Sequence, residues 1–212
     1  MIDIKCYPIG MLQTNCYLIT DVNTGDMAVI DCGQRCDELL SEIKGRQKGS
    51  LKYILLTHGH FDHISGVKWL ENEMESEICI GVKDSDFTVN PEFSLMNISL
   101  GDCAFKADRL VKEGDVLTLG ETEIRVIETP GHTVGGVCYI IDNNIFCGDT
   151  LFRESVGRTD LPTGSFKMLM SSLKKLSEIQ TDMRLLPGHG EESTLYYEKK
   201  NNPYMMTDST EV

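Results

Sequence analysis

The chain alternates short apolar runs with clusters of turn-forming residues. Ile2-Asp3-Ile4-Lys5-Cys6 alternates apolar and polar, which predicts a half-buried strand. Asn15-Cys16-Tyr17-Leu18-Ile19 predicts a second strand and Met27-Ala28-Val29-Ile30 a third, with turn chemistry between them at 21–26. These three predict an opening β-meander. Leu39, Leu40 and Ile43 fall at helical spacing and predict a helix over 36–44. Tyr53-Ile54-Leu55-Leu56 is apolar throughout and predicts a buried strand. Ile64, Val67, Trp69 and Leu70 then predict a helix over about 62–73. A further strand is expected at 77–80.

Between 83 and 109 the periodicity is weak, with turn signals at Asn90-Pro91 and Gly101-Asp102. Long loops in compact domains tend to be functional or mobile. A partly helical insertion, 83–110, near the mouth of a site is expected. Strand character resumes at 115–119 and alternates cleanly over 123–128. Residues 136–141 and 144–147 flank Asp142-Asn143 and predict a hairpin. Leu169, Leu173 and Leu176 line one face of a helix over 166–176, and 184–186 predict the last strand. The polar tail, 201–212, is expected to be flexible. Periodicity alone gives a mixed α/β chain, read as one domain over 1–212.

With 212 residues, the chain is long enough for one substantial core. No apolar run approaches the ~20 residues of a membrane span. No basic segment followed by a long apolar stretch marks a secretory signal, so a cytoplasmic protein is expected. Eight cysteines include no C-x-x-C pair, and several sit in apolar strand-like runs, as at Val137-Cys138 and Phe146-Cys147. Reduced thiols acting as small hydrophobes are expected. Lys and Arg number 20 against 33 Asp and Glu, a formal charge of -13. That balance argues against general nucleic-acid binding, which needs clustered cations. The expected partner is a small-molecule substrate, with neither nucleic acid nor membrane.

The candidate chemistry lies at Thr57-His58-Gly59-His60-Phe61-Asp62-His63, where a predicted strand gives way to a predicted helix. In extended backbone, positions two apart point the same way, so His58 and His60 present side by side. The turn into the helix is expected to swing Asp62 and His63 to another side. Three histidines and a carboxylate this close repel when protonated and are costly to bury unpaired. As ligands of two adjacent cations such as Zn(II) or Fe(II) they make chemical sense. The remaining two of the five histidines, His132 and His189, each follow a predicted strand in a Pro-Gly-His turn. Such turns are tight and rigid, which fixes the imidazole. Asp149 follows another strand, in Cys147-Gly148-Asp149-Thr150.

The run His58-Gly59-His60-Phe61-Asp62-His63 resembles the H-x-H-x-D-H signature of the metallo-β-lactamase-like hydrolases. That resemblance implies a four-layer αββα sandwich. It implies that His58, His60 and His132 hold one metal, that Asp62, His63 and His189 hold a second, and that Asp149 bridges them. The implied cofactor is a pair of divalent ions, zinc first, with iron or manganese as alternatives. A metal-bound hydroxide is then the nucleophile, and Asp62 is the catalytic residue that orients it and takes its proton. Gly148-Asp149-Thr150-Leu151-Phe152 and Ser155-Val156-Gly157-Arg158-Thr159-Asp160-Leu161-Pro162 resemble the glyoxalase II-like (hydroxyacylglutathione hydrolase-like) branch. That branch hydrolyses thioesters such as S-lactoylglutathione. Full-length glyoxalase II adds a C-terminal helical domain that holds glutathione, whereas only 191–212 follow the last ligand here, so the likeness is to short single-domain relatives. Arg158 is read either as a contact for an anionic substrate or as an ion-pair partner of Asp160.

Three other classes of function share this signature or its ligands: an iron oxidoreductase of either of two types, a nuclease and a non-catalytic binder. A mono-iron persulfide dioxygenase-like oxidoreductase uses two histidines and one carboxylate. Diiron oxygen or nitric oxide reductases carry a glutamate where this chain has His60, which argues against them. An RNA-processing nuclease is opposed by the acidic charge, and a non-catalytic metal-binding protein by the complete ligand set.

Overall fold

The computed structural model describes residues 1–95 and 104–206. Strands β1 (Ile2–Ile9), β2 (Thr14–Asp21) and β3 (Met27–Ile30) form the expected antiparallel meander, with Ile4 opposite Ile19 and Tyr17 opposite Ile30. Helix α1 (Asp37–Gly45) then carries the chain to β4 (Leu51–Leu55), which lies parallel to β3. The Cys36 sulfur caps α1 by accepting from the Leu39 amide. Next come α2 (Phe61–Ile64), α3 (Val67–Glu73) and β5 (Glu77–Gly81), parallel to β4.

The single helix expected over 62–73 is therefore two. It breaks at Ser65 and Gly66, because the Gly66 amide donates to the Cys32 carbonyl (2.9 Å) instead of continuing the helix. A Cβ at Gly66 would lie 2.6 Å from the Gln34 carbonyl carbon, so only glycine permits this approach.

A 3₁₀ helix (Val82–Thr88) and α4 (Pro91–Ser94) follow, and β6 (Arg109–Val111) closes the first sheet beside β5. Part of the segment expected as an insertion, 96–103, lies outside the described residues. Strand β6 was not expected, since three residues are too few for a period to register.

The second sheet is built from β7 (Val116–Leu119), β8 (Thr122–Glu128), β9 (Val137–Ile141) and β10 (Asn144–Gly148), all antiparallel neighbours. A small hairpin, β11 (Leu151–Phe152) with β12 (Ser155–Val156), precedes α5 (Phe166–Ser177). Strand β13 (Arg184–Pro187) returns parallel to β10, and β14 (Ser193–Thr194) pairs with β13. The sheet orders are β1-β2-β3-β4-β5-β6 and β14-β13-β10-β9-β8-β7.

Helix α6 (Leu195–Asn201) follows β14 and delays the expected tail. Asn202 is fully buried and donates to the carbonyls of Phe152 and Ser155 (3.3 and 3.1 Å). The tail's remaining residues, 207–212, lie outside the described residues.

Three apolar clusters define four layers. Tyr17, Ile19, Ala28, Ile30 and Leu55 of the first sheet pack with Leu117, Ile124, Val126, Tyr139 and Phe146 of the second. The alternate residues Leu18, Val29 and Ile54 face outward, onto Leu39, Ile43, Ile64 and Leu70 of α1 to α3. On the far side, Ile145 and Leu185 pack with Leu173 and Leu176 of α5 and Leu195 of α6. This is the αββα sandwich. Strand β2 is buried at every position because it is covered on both faces.

Hydrogen bonds cross the sandwich at the end where the candidate ligands begin. The Tyr139 hydroxyl donates to the Leu56 carbonyl (2.9 Å), the Tyr17 hydroxyl to the Pro187 carbonyl (2.7 Å), and the Val137 amide to the Thr57 carbonyl (2.8 Å). Each contributes about 1 kcal/mol. Together they hold the ends of β4, β9 and β13 in register, where the candidate ligands begin. No helix among the described residues is long and apolar enough to cross a membrane. Cys6, Cys16, Cys32, Cys36, Cys79, Cys138 and Cys147 carry free thiols; Cys103 lies outside the described residues.

Candidate metal centre

Five of the candidate side chains follow the C-terminal end of a strand, and Asp62 and His63 lie on α2. His58 and His60 follow β4, with His60 as the residue preceding α2. His132 follows β8, Asp149 follows β10, and His189 follows β13. Glycine makes the crowding possible. A Cβ at Gly188 would lie 2.3 Å from Asp149 Oδ1 and 2.6 Å from His63 Cε1.

The seven side chains expected from the sequence come together. Ligand atoms of His58, His60 and His132 lie within 4.8 Å of one another, as do those of Asp62, His63 and His189, and those of His58, His63 and Asp149. Asp149 Oδ2 is 3.5 Å from His132 Nε2 and 3.6 Å from His189 Nε2, so this carboxylate lies between the two halves. The turn into α2 gathers Asp62 and His63 with His189, while the ring centre of His63 lies 4.1 Å from that of His58, closer than His60 at 4.8 Å. The short α2 doubles the chain back, and the two halves share a wall.

The outer nitrogens of four histidines are fixed by acceptors. His58 Nδ1 donates to Thr57 Oγ1 (3.1 Å), His63 Nδ1 to Asp31 Oδ2 (2.9 Å), His132 Nδ1 to the Arg158 carbonyl (2.7 Å) and His189 Nδ1 to the Leu12 carbonyl (3.1 Å). A neutral imidazole that donates through Nδ1 presents its Nε2 lone pair inward, the usual arrangement of a supported metal-ligating imidazole. His60 presents Nδ1, 2.8 Å from His132 Nε2.

Three of the inward atoms lack protein partners. His58 Nε2, His63 Nε2 and Asp149 Oδ1 are buried with no hydrogen bond. Orphaned polar atoms in a protein interior are costly. Nitrogen and carboxylate donors converging with open lone pairs fit divalent cations of the zinc or iron kind. The seven residues therefore pass a chemical test for a dinuclear site.

Electrostatics follow the same division. Burial pushes His58 and His60 down, His60 to about 3, and the neighbouring imidazoles add to the effect. Both are neutral and free to donate lone pairs. Burial also opposes charge on His63, but Asp62, Asp31 and Asp149 outweigh it and raise this histidine. Burial would raise Asp62 and Asp149; His63 and His189 outweigh it and hold both carboxyls below their usual range. The cluster opens to solvent on one side: the side chain of His189 is 26% exposed and that of Asp62 13%, while His63 is sealed.

The profile described as "Metallo-beta-lactamase superfamily" matches residues 9–189. The chain belongs to that superfamily. A hydroxyacylglutathione hydrolase, GloC, of Haemophilus influenzae is 35% identical over 98% of this chain and 100% of its own length. Among solved structures, the BLEG-1 B3 metallo-beta-lactamase superposes with a TM-score of 0.88 at 30% identity, covering 97% of this chain and 100% of its own. A protein solved in a di-iron-bound form superposes with a TM-score of 0.82 at 31% identity, covering 94% and 99%.

Several supporting residues escaped the sequence reading. Asp31 accepts from the Thr57 amide (2.8 Å), the Thr57 hydroxyl (2.7 Å) and His63. It holds φ +58°, a left-handed conformation uncommon outside glycine. An Asp followed by Gly two positions on, directly after a strand, was the available signal. The Thr14 hydroxyl donates to Asp62 Oδ2 (3.0 Å) and had no signal. Arg158 pairs bidentately with Asp160 (2.7 Å twice), both exposed, and its carbonyl supports His132.

Proposed function

We propose that the protein is a dinuclear metal-dependent hydrolase of acyl thioesters, of the hydroxyacylglutathione hydrolase type. The observation that carries this reading is the convergence of seven nitrogen and carboxylate donors, among which the buried His58 Nε2, His63 Nε2 and Asp149 Oδ1 have no hydrogen-bond partner. Likeness to GloC over the full length of both chains supports the choice of thioester.

Two divalent cations, when bound, supply Lewis acidity and lower the pKa of a coordinated water to about 7. His58, His60 and His132 would hold one, Asp62, His63 and His189 the other, with Asp149 shared; zinc is the first choice, iron or manganese the alternatives. The remaining chemistry belongs to the chain. Thr14 fixes Asp62 by donating its hydroxyl to Oδ2 at 3.0 Å. So held, Asp62 orients the attacking water and receives its proton, as a positioned general base does. The buried His58 and His63 wall excludes bulk water from one side, and substrate enters from the side of His189 and Asp62.

The test is turnover. Protein loaded with zinc, or separately with iron, is given S-lactoylglutathione, and release of free thiol is followed. Cation-dependent thiol release is expected. Oxygen consumption with a persulfide substrate by protein holding one iron, without thioester turnover, would overturn the reading.

A further inference from the structure

Asp84 lies in the 3₁₀ helix Val82–Thr88, outside the seven candidate ligands, and is fully buried. Its carboxylate joins the two stretches that carry the three-histidine half. Oδ2 accepts from the Gly59 amide (3.0 Å), the residue between His58 and His60. The same oxygen accepts from the Thr133 hydroxyl (2.7 Å), directly after His132. Oδ1 accepts from the Gly135 amide (2.7 Å). All three donors are uncharged, and burial pushes this carboxyl up to about 6 against their pull. A buried carboxylate without a cation is expensive to keep, and here it serves as a clamp between two loops.

The same helix also packs directly on the ligands' backbone. A Cβ at Gly59 would lie 2.3 Å from Phe87 Cβ, and one at Gly135 would lie 2.5 Å from Asp84 Oδ1. The Phe87 ring centre is 6.0 Å from that of His60. The Asp62, His63 and His189 half has its own supports in Thr14, Asp31 and the Leu12 carbonyl. Asp84 contacts none of these.

We propose that Asp84 is a positioning residue that sets the spacing of His58 and His60 against His132, and so governs cation affinity of that half alone. The inference rests on the metal reading of the site. Loss of an outer support of this kind costs roughly 10–100-fold in metal affinity.

The test is calorimetric titration of Zn(II) into the cation-stripped full chain. In a His189→Ala background the titration reports the three-histidine half; in a His132→Ala background it reports the other. Asp84→Ala is expected to weaken binding roughly 10–100-fold in the first background and less than about twofold in the second. Thr133→Val, which removes one of the three bonds, is expected to weaken the first half by a smaller factor, and Thr133→Ser to restore it. This pair keeps the test open where Asp84→Ala does not fold. Equal weakening of both halves marks a general packing loss and overturns the proposal, as do unchanged affinities. Wild-type protein that takes up no zinc overturns the metal reading, and the proposal with it.

Discussion

Asp31→Asn isolates the effect of an acceptor that touches a candidate ligand without being one. The carboxylate accepts three bonds: Oδ1 from the Thr57 amide, and Oδ2 from the Thr57 hydroxyl and His63 Nδ1. An amide has one acceptor end and one donor end. If its nitrogen takes the Oδ1 position, it faces the Thr57 N–H, which cannot adapt, at a cost of about 1–3 kcal/mol. If it takes the Oδ2 position, it donates to His63 Nδ1, and the imidazole proton moves to Nε2. That atom faces Asp62 Oδ2 (3.5 Å) and Asp149 Oδ1 (3.4 Å), where a ligand lone pair is needed. Neutral His63 adopts either tautomer, so the second arrangement is expected. The affinity of the Asp62, His63 and His189 half should fall roughly 10–100-fold, about 1.4–2.8 kcal/mol. Competition for Zn(II) against a chromophoric chelator at pH 7 measures it. Affinity within twofold of wild type would refute the tautomer argument.

Other expected outcomes probe different links. His60→Ala and Asp149→Ala should each reduce thioester turnover to the level of cation-stripped protein, while circular dichroism stays native; undiminished rates in either would refute its assignment. Gly188→Ala should displace Asp149 and His63, since its Cβ would lie 2.3 and 2.6 Å from them; bound metal should fall, and unchanged metal content would show that the loop relaxes freely. Asp21 is remote chemistry with a definite pH signature. Burial would raise its carboxyl, but bonds from Thr122, Thr24 and Asn23 outweigh it and hold it below the usual range. A depressed folded value contributes stability above the unfolded value of about 4 and loses it as pH falls through the folded value. Asp21→Ala should therefore destabilise cation-stripped protein in urea more at pH 7 than at pH 3; an equal difference at both would contradict the linkage.

The candidate ligands were legible because their signal is local. Four lie within six residues at 58–63, and the other three follow strands, two of them in a repeated Pro-Gly-His turn. Their supports were illegible because each acts across the chain. Asp31 reaches Thr57, 26 positions on; Thr14 reaches Asp62, 48 positions on; Asp84 reaches Gly59 and Gly135, 25 and 51 positions away. A lone aspartate or threonine has no pattern until the fold supplies its partner. The strands were legible from their apolar runs, but periodicity gave only a mixed α/β chain and the four layers came from the family resemblance; the structure shows Tyr17 and Ile19 facing one core and Leu18 the other. The break at Gly66 was not, because it answers to the Cys32 carbonyl rather than to helix propensity. Helix α6 was missed because it buries only Leu195 and Glu198, too few positions for an apolar stripe.

Metal content tests the central claim most directly. Wild-type protein, stripped and then dialysed against excess zinc and freed of unbound ion, should retain two atoms per chain by plasma mass spectrometry. Exchange of His132 or His189 for alanine should leave about one. Wild-type protein that retains none, or variants that retain as much as wild type, would contradict a dinuclear centre built from these seven side chains.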